Sequence, residues 1–230
     1  MSQQVKLVCQ LYEDAPALSS QGVHLISTDE MTGIQALERA YPSKPMRPGQ
    51  VELIEFEYIR HGTQSLIANW EVATGRVIAP SIGSTRTEYD FANHIANTIE
   101  TDPDANWIFI VDQLNIHKSA TLVSLVSACC ELDIDLEIKE KSGILKSMET
   151  RAAFLSDPKH RIRFVYIPKH TSWLNQIEIW FSILVRRLLK HASFKSTEEL
   201  KKRILAFINY FNQTMAKPFQ WKYRVYPQAT

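Results

Sequence analysis

Apolar and polar residues alternate along much of the chain in ways that predict short strands and helices. An apolar segment over residues 23–30 ends in two acids and predicts a short strand. Residues 51–60, 64–72 and 76–82 follow with partial alternation, which predicts an antiparallel meander. Between these segments, residues 41–49 carry prolines at every third position, which is polyproline II spacing. We therefore expect an extended tether there, with an SH3-type ligand as the alternative.

The second half combines continuous apolar runs with helical periodicity. Residues 107–112 and 163–167 are runs typical of strands that are buried on both faces. The predicted helices, with their capping residues, are 85–100 (Thr85 and Glu88), 120–131, 172–191 (Ser172) and 196–213 (Ser196 and Glu199), and a further amphipathic segment covers 144–155. This order of elements predicts an α/β fold in which helices flank a mixed sheet.

Membrane and disulfide classes are excluded early. The longest uninterrupted apolar run is residues 107–111, which is too short to span a bilayer, and the first residues lack the apolar core of a signal peptide. The three cysteines, at positions 9, 129 and 130, form no CxxC pair. A disulfide framework and a cysteine zinc site are therefore excluded, and we expect a protein of the reducing cytoplasm with no membrane partner.

The formal net charge of +1 conceals a strong division along the chain. Residues 1–137 contain 8 Lys and Arg against 19 Asp and Glu, a net charge of −11. Residues 138–230 contain 18 against 6, a net charge of +12. Such asymmetry favours contact with nucleic acid. On charge alone, two opposite faces that attract each other within the fold explain it equally well.

Two acids stand at the ends of predicted strands. Asp29 follows a short apolar strand, and Asp112 follows a strongly apolar one. Ligand sites of α/β sheets lie beyond the carboxyl ends of strands, so both side chains are candidates for one crevice. Asp is also a common residue at the ends of strands. For either residue taken alone, the alternative is therefore that it only terminates the strand and has no role in a site.

Glu178 lies inside a nearly apolar predicted helix. Trp173, Ile177, Trp180 and Leu184 repeat at helical spacing and predict one core face, while Asn175, Glu178 and Ser182 form a narrow polar stripe. A carboxylate kept near a core needs a partner, because removing its charge from water is costly. A bound metal would supply that partner. The alternative is a solvent-facing Glu beside Arg186.

Three convergent carboxylates predict a divalent cation site. They cannot all stay ionised in a water-poor crevice without a cation, and oxygen ligands select Mg²⁺, or Mn²⁺ as a substitute. Two such ions can activate a water or a 3′-hydroxyl at a phosphodiester. An acidic crevice beside a basic region suits cleavage of a polyanion. The sequence contains no HExxH, GxSxG or Gly-rich phosphate loop that would indicate another chemistry.

Several polar residues follow the predicted strand ends and are candidates to assist or to contact DNA. They are Asn115, His117, Lys169 and His170, together with Asn175 of the polar stripe. We expect His117 to orient a phosphate or a water; capping of the next helix is the alternative.

These segments resemble the acidic motifs of the DDE transposases of bacterial insertion sequences, in the mariner-like superfamily. Residues 111–119 (VDQLNIHKS) resemble the second motif, residues 168–182 (PKHTSWLNQIEIWFS) the third, and residues 27–35 (STDEMTGIQ) the first. The resemblance implies an RNase H-like fold, two Mg²⁺ ions and cut-and-paste transposition. By motif position it implies a triad of Asp29, Asp112 and Glu178.

The chain departs from the family pattern in two ways. The 65 residues between Asp112 and Glu178 exceed the usual spacing, and the excess falls in a basic insertion at about 138–161. Only 28 residues precede Asp29, too few for the family's helix-turn-helix modules. We therefore expect a lead-in over 1–22, a DDE catalytic domain over 23–215 and a tail over 216–230. A truncated copy and the downstream frame of a split gene both fit this organisation.

The resemblance also implies binding partners, and two alternative functions remain beside transposition. Expected partners are transposon-end and target DNA, a second copy of the chain on that DNA, and an upstream-frame helix-turn-helix product, in the cytoplasm or on the nucleoid of a bacterium. One alternative is an RNase H-like nuclease that cuts without strand transfer. The other is an inactive remnant that only binds DNA.

Overall fold

The computed structural model describes residues 3–190 and 192–222. The strands are β1 (Val23–Arg39), β2 (Tyr58–Glu71), β3 (Arg76–Gly83), β4 (Asn106–Val111) and β5 (Ile162–Tyr166). The helices are α1 (Gln3–Ser20), α2 (Glu88–Ile99), α3 (Ala120–Cys129), α4 (Met148–Leu155), α5 (Ile177–Leu184) and α6 (Thr197–Thr214). The predicted α/β fold with a mixed sheet flanked by helices is confirmed.

The five strands form one sheet in the order β3-β2-β1-β4-β5. The first three strands form an antiparallel meander, but its first strand is β1 instead of the predicted segment 51–60. Strand β4 runs parallel to β1, and β5 runs parallel to β4. Residues 107–111 of β4 are buried throughout, as expected for an apolar strand covered on both faces. In this order β4 lies between β1 and β5. The carboxyl end of β4 therefore lies between the carboxyl end of β5 and the part of β1 that follows Ser27.

Helices cover both faces of the sheet. On one face α1, α5 and α6 enclose a core that includes Trp70 and Trp180. On the other face α2, α3 and α4 pack over Phe91, Trp107 and Phe109. Because successive side chains of a strand point to opposite faces, β1 contributes to both cores. No helix among the described residues is long and apolar enough to cross a membrane.

The N-terminal segment is a helix, although its pattern predicted only a lead-in. In α1, Val5, Val8, Tyr12 and Ala15 are buried at helical spacing, and the helix continues through Pro16. Tyr12 Oη donates a hydrogen bond of 2.7 Å to the carbonyl of Leu174, so α1 supports the loop before α5. Tertiary packing of this one face therefore overrides the presence of an internal proline.

The region between the first two strands also differs from the prediction. β1 continues to Arg39 through two register shifts, instead of ending after Glu30. Residues 40–57, which we call the arm, fold back on themselves through bridges between Lys44 and Leu53 and between Arg47 and Gln50. The predicted polyproline tether is therefore wrong, because backbone pairing within the arm replaces an extended course. The predicted strand over 51–60 is present only from Tyr58, where β2 begins.

Two helix boundaries move by a few residues. The capping box of α2 joins Thr87 and Asp90, and the Thr85 hydroxyl also donates to Asp90, so Thr85 and Glu88 do not form the predicted box. The helical segment before α5 begins as a single 3₁₀ turn over Ser172–Leu174, and a π-helical turn over Val185–Leu189 follows α5. The helix predicted over 172–191 was expected to end at residue 191, which lies outside the described residues.

The predicted core face of this segment is only partly correct. Ile177, Trp180 and Leu184 are fully buried, whereas Trp173 is 47% exposed. The chain leaves helical geometry between the 3₁₀ turn and α5, where Asn175 is extended. This break changes the direction of the side chains before it, so Trp173 does not continue the apolar stripe of α5.

Candidate active site

Asp29 and Asp112 come together because their strands are parallel neighbours. Ser27 of β1 lies opposite Ile110 of β4, so two residues further along each chain Asp29 and Asp112 reach the same edge of the sheet. Asp29 faces the side covered by α5, since its carboxylate contacts Asn175. The predicted convergence of these two acids at strand ends follows from the parallel register.

Asp29 is held in a nearly dry position. The residue is 9% exposed, and its carboxylate accepts hydrogen bonds from Asn175 Nδ2 (2.9 Å) and from the backbone N–H of Glu30 (2.8 Å). Burial, with a smaller contribution from repulsion by Glu30, Asp112 and Glu178, raises the pKa of Asp29 to about 7, although the hydrogen bond from the Glu30 N–H acts in the opposite direction. Asp112 belongs to the neighbouring strand end, and Glu178 to the helix that follows the Asn175 contact.

Asp112 is more exposed to solvent than Asp29, and one of its carboxylate oxygens is hydrogen-bonded. Its side chain is 40% exposed, and Oδ1 accepts from the Leu114 N–H (2.8 Å) and contacts His117 Nδ1 (2.8 Å). Partial burial alone would raise the pKa of Asp112. The hydrogen bonds from His117 and Leu114, with the charges of His117 and Arg86, outweigh burial and lower it. Asp112 therefore stays ionised beside the more protonated Asp29.

Glu178 stands in the first turn of α5 and faces outward. The residue is exposed, so the expectation of a charge kept near the core is wrong. Partial burial of its carboxylate and the charge of Asp112 raise its pKa. A cleft of about 530 Å³ adjoins it, lined by Met31, Phe181 and Arg186 among others. Glu178 thus faces a solvent-exposed cleft between β1 and α5 and does not project into the core.

Buried hydrogen bonds fix the start of α5 against β1. The Ser27 hydroxyl donates to Asn175 Oδ1 and accepts the N–H of Ile177 at 3.0 Å. Asn175 also donates to the Thr28 carbonyl at 3.0 Å. Ser27 and Asn175 are both fully buried. These bonds fix the start of α5, which carries Glu178. The predicted polar stripe is therefore divided, because the Asn175 amide is buried whereas the Glu178 carboxylate is exposed.

The assisting candidates fall into two groups. Asn115, Lys169 and His170 are exposed beyond the strand ends, and their predicted contact with DNA stays a prediction. Asn175 supports Asp29 from within the core instead of facing DNA. His117 is fully buried as well, so neither the predicted contact with a phosphate or water nor the helix-capping alternative describes it.

His117 lies between two carboxylates. Its Nε2 contacts Glu30 Oε1 at 2.8 Å, and its Nδ1 contacts Asp112 Oδ1 at 2.8 Å. Burial alone would lower the pKa of His117, but the bonds to Asp112 and Glu30 raise it to about 9. Sequence reasoning missed Glu30, although strand alternation separates it from Asp29 by one position and so turns it to the opposite face.

The carboxylates form a donor set that suits a hard divalent cation. In residues 3–190 and 192–222, no three His, Cys, Asp or Glu side chains already converge tightly enough to enclose an ion. Asp29 and Asp112 nevertheless lie where the parallel pairing of β1 with β4 ends, at one sheet edge, and the charges of Asp112 and Glu178 add to the burial that raises the pKa of Asp29 to about 7. A cation would relieve this repulsion, and oxygen-only ligands favour Mg²⁺ or Mn²⁺. The residues present therefore fit such a metal.

Residues 24–201 match the family model described as DDE superfamily endonuclease. The chain belongs to this superfamily. Because the match spans the segments that carry Asp29, Asp112 and Glu178, the acidic edge of the sheet lies within the part of the chain that defines a DDE endonuclease. The family uses divalent metal ions, which agrees with the donor set found here.

Solved structures of Mos1 transposase share the fold of this DDE endonuclease. A Mos1 paired-end complex with left transposon end is 14% identical with a TM-score of 0.54, over 90% of this chain and 54% of that chain. The Mos1 catalytic domain with Raltegravir and Mg is 10% identical with a TM-score of 0.51, over 90% of this chain and 81% of that chain. The chain thus spans about half of the Mos1 transposase in the DNA complex. No curated protein sequence matches the chain.

The comparisons confirm two predictions and leave others as proposals. The RNase H-like fold is confirmed by the Mos1 catalytic domain, which is covered over most of its length. Membership of the DDE family is confirmed by the family match. The individual roles of the triad, the domain boundaries and the bacterial origin stay predictions.

Proposed function

We propose that the chain is the catalytic domain of a DDE transposase that cleaves DNA phosphodiesters and joins the freed ends to target DNA. Asp29, Asp112 and Glu178 are the proposed catalytic and metal-binding residues. The observation that carries the proposal is that Asp29 and Asp112 lie where the parallel pairing of the neighbouring strands β1 and β4 of an RNase H-like sheet ends, in a chain of the DDE family, with Glu178 in the first turn of α5.

Asp29 and Asp112 would share the metal ions, and Glu178 would complete the second site. Mg²⁺, with Mn²⁺ as a substitute, is the proposed metal, in two ions. When bound, these ions activate a water or a 3′-hydroxyl and stabilise the leaving oxygen of the phosphodiester. Asn175 and the Glu30 N–H orient the carboxylate of Asp29, and the Leu114 N–H orients that of Asp112. Ligands prepared in this way lose little conformational freedom when a cation binds.

Exposed basic residues border the acidic edge and supply a surface for the DNA backbone. Lys169 follows β5, while Arg186, Arg187 and Lys190 extend from the end of α5. Basic side chains attract phosphates and release counterions, so we expect affinity that falls with salt. Transposon-end and target DNA are the proposed partners, which agrees with the transposon end bound in the Mos1 complex. We further propose a homodimer on DNA and, in a bacterial cell, an upstream-frame helix-turn-helix product.

The test supplies a pre-cut DNA end, a supercoiled plasmid and Mg²⁺ or Mn²⁺ to the purified chain. We expect covalent joining of the end to the plasmid, and we expect Asp112→Ala to abolish it. Asp133→Asn is the matched control, because Asp133 is an exposed acid outside the motifs. Nicking without joining would favour the nuclease alternative. Binding of DNA without either reaction would favour the inactive remnant.

A further inference from the structure

Glu30 follows Asp29 in sequence but faces the other side of the sheet. Its side chain is 1% exposed, whereas the edge that carries Asp112 is open to solvent. One oxygen, Oε1, contacts His117 Nε2 at 2.8 Å, and the other, Oε2, lies 3.8 Å from Arg86 Nη1. A buried carboxylate is costly unless its oxygens have partners. Both oxygens of Glu30 therefore face His117 and Arg86 on the α2 side of the sheet. Glu30 is not oriented as a metal ligand beside Asp29 and Asp112.

The imidazole of His117 is fixed between Glu30 and Asp112. Nε2 lies 2.8 Å from Glu30 Oε1 and Nδ1 lies 2.8 Å from Asp112 Oδ1, so the doubly protonated imidazolium donates a hydrogen bond to each carboxylate. The ring is fully buried and packs against Phe91 at a centroid distance of 4.3 Å. Tyr166 Oη donates to the His117 carbonyl at 2.8 Å, which also fixes the backbone. The ring thus has little freedom to rotate.

Asp112 needs such support because it comes directly after the last residue of β4. The sheet ladder ends at the pairing of Val111 with Tyr166, and the Asp112 side chain is 40% exposed. The bonds from Leu114 and His117 both fall on Oδ1. They select one orientation of the carboxylate and leave Oδ2 as the oxygen that neither bond uses.

We propose that Glu30 is a positioning residue that acts through His117 to hold the carboxylate of Asp112 in its ligating orientation. This inference rests on the proposed function, because it concerns Asp112 as a metal ligand. Glu30 would touch neither the metal nor DNA. Hydrogen-bonding partners of metal ligands commonly contribute tenfold to a hundredfold to metal affinity. We expect an effect of that size here.

The test measures Mn²⁺ binding to the DNA-free chain by the loss of the electron paramagnetic resonance signal of the free ion. Glu30→Ala should weaken Mn²⁺ binding about tenfold to a hundredfold. Glu30→Gln keeps an oxygen that can accept from His117 Nε2, so we expect an intermediate loss. In the joining reaction, raising the metal concentration should restore the maximal rate of Glu30→Gln, since the ligands themselves are intact.

The chain offers a matched control at the opposite end of the same strand. His24 also lies between two carboxylates, with Nδ1 at 2.7 Å from Glu71 Oε1 and Nε2 at 3.1 Å from Asp102 Oδ2, and it stacks on Trp107 at 4.2 Å. His24→Asn removes a bridge that lies about 20 Å from Glu30 along β1, given the rise per strand residue. Its Mn²⁺ affinity should equal that of the unmodified chain.

Each outcome decides a different claim when Asp112→Asn is measured in parallel. If Asp112→Asn loses Mn²⁺ binding and both Glu30 variants keep it while retaining native circular dichroism, the positioning role is overturned. If Asp112→Asn binds Mn²⁺ as the unmodified chain does, the proposed function fails first. If Glu30→Ala does not fold, Glu30→Gln alone decides, and unchanged affinity in that variant overturns the inference.

Discussion

Replacing Asp29 with Asn should make the metal-free protein more stable at neutral and alkaline pH. Asp29 is 9% exposed, and burial with smaller repulsion from neighbouring acids raises its pKa from 3.8 to about 7. Between these values the folded chain binds a proton that the unfolded chain lacks, so the free energy of unfolding falls as the pH rises. An amide carries no charge and escapes this penalty.

The expected magnitude follows from the size of the shift. About three pKa units correspond to roughly 4 kcal/mol of destabilisation above about pH 7. Asn offers one oxygen where Asp29 accepts from both Asn175 and the Glu30 N–H, so one hydrogen bond is lost, worth about 1 kcal/mol. Asp29→Asn should therefore be more stable by about 3 kcal/mol near about pH 8, and by roughly 0.5 kcal/mol near about pH 5.

Urea unfolding in the presence of a chelator measures this difference at both pH values. A matched Asp133→Asn variant should show no pH-dependent gain, because Asp133 is exposed. Adding Mn²⁺ should stabilise the unmodified chain and leave Asp29→Asn nearly unchanged. A stability difference that is the same at both pH values would refute the raised pKa of Asp29, and a loss of stability at the higher pH would refute the cost of burying its charge.

Three further predictions test the support around the site. Ser27→Ala should lower the free energy of unfolding, measured in urea, by about 1–3 kcal/mol, because it leaves the buried N–H of Ile177 without its acceptor. Ser182→Ala, at an exposed position, is the control and should have little effect. Trp180→Ala should lower the free energy by about 3–5 kcal/mol in the same assay, whereas a similarly large loss in the 47% exposed Trp173→Ala would contradict the assigned core face. Lys169→Ala should reduce the slope of DNA affinity against salt by about 1, and an unchanged slope would remove this residue from the DNA surface.

The acids at strand ends were accessible to sequence reasoning for a physical reason. An apolar run such as residues 107–111 predicts a strand that is buried on both faces, and the polar residue that ends it must lie at the sheet edge. Asp112 is located in this way without knowledge of the fold. Asp29 needs in addition the parallel pairing of β1 with β4, which no local pattern reports.

Glu178 shows that a correct candidate can rest on an incorrect reason. The apolar neighbours suggested a carboxylate near the core, but the residue is exposed in the first turn of α5. The break at Asn175 separates the 3₁₀ turn from α5, so helical spacing does not extend back to Trp173. Periodicity assumes one continuous helix, and a buried side-chain hydrogen bond that interrupts the helix is invisible to it.

The contact between Glu30 and His117 lies beyond sequence reasoning altogether. The two residues are 87 positions apart, and their hydrogen bond depends on the approach of the loop after β4 to the α2 face of β1. Similarly, residues 1–22 were predicted only as a lead-in, whereas residues 3–20 form α1, which packs one face on the core despite Pro16. In both cases packing between distant segments decides the structure.

Anomalous diffraction from a crystal of the chain soaked in Mn²⁺ would locate the metal directly. We expect Mn²⁺ bonded to carboxylate oxygens of Asp29, Asp112 and Glu178, with Glu30 still bonded to His117 and not to the metal. Mn²⁺ bound elsewhere, or bonded to Glu30 in place of Asp112, would contradict the assignment of these three acids as the metal-binding site.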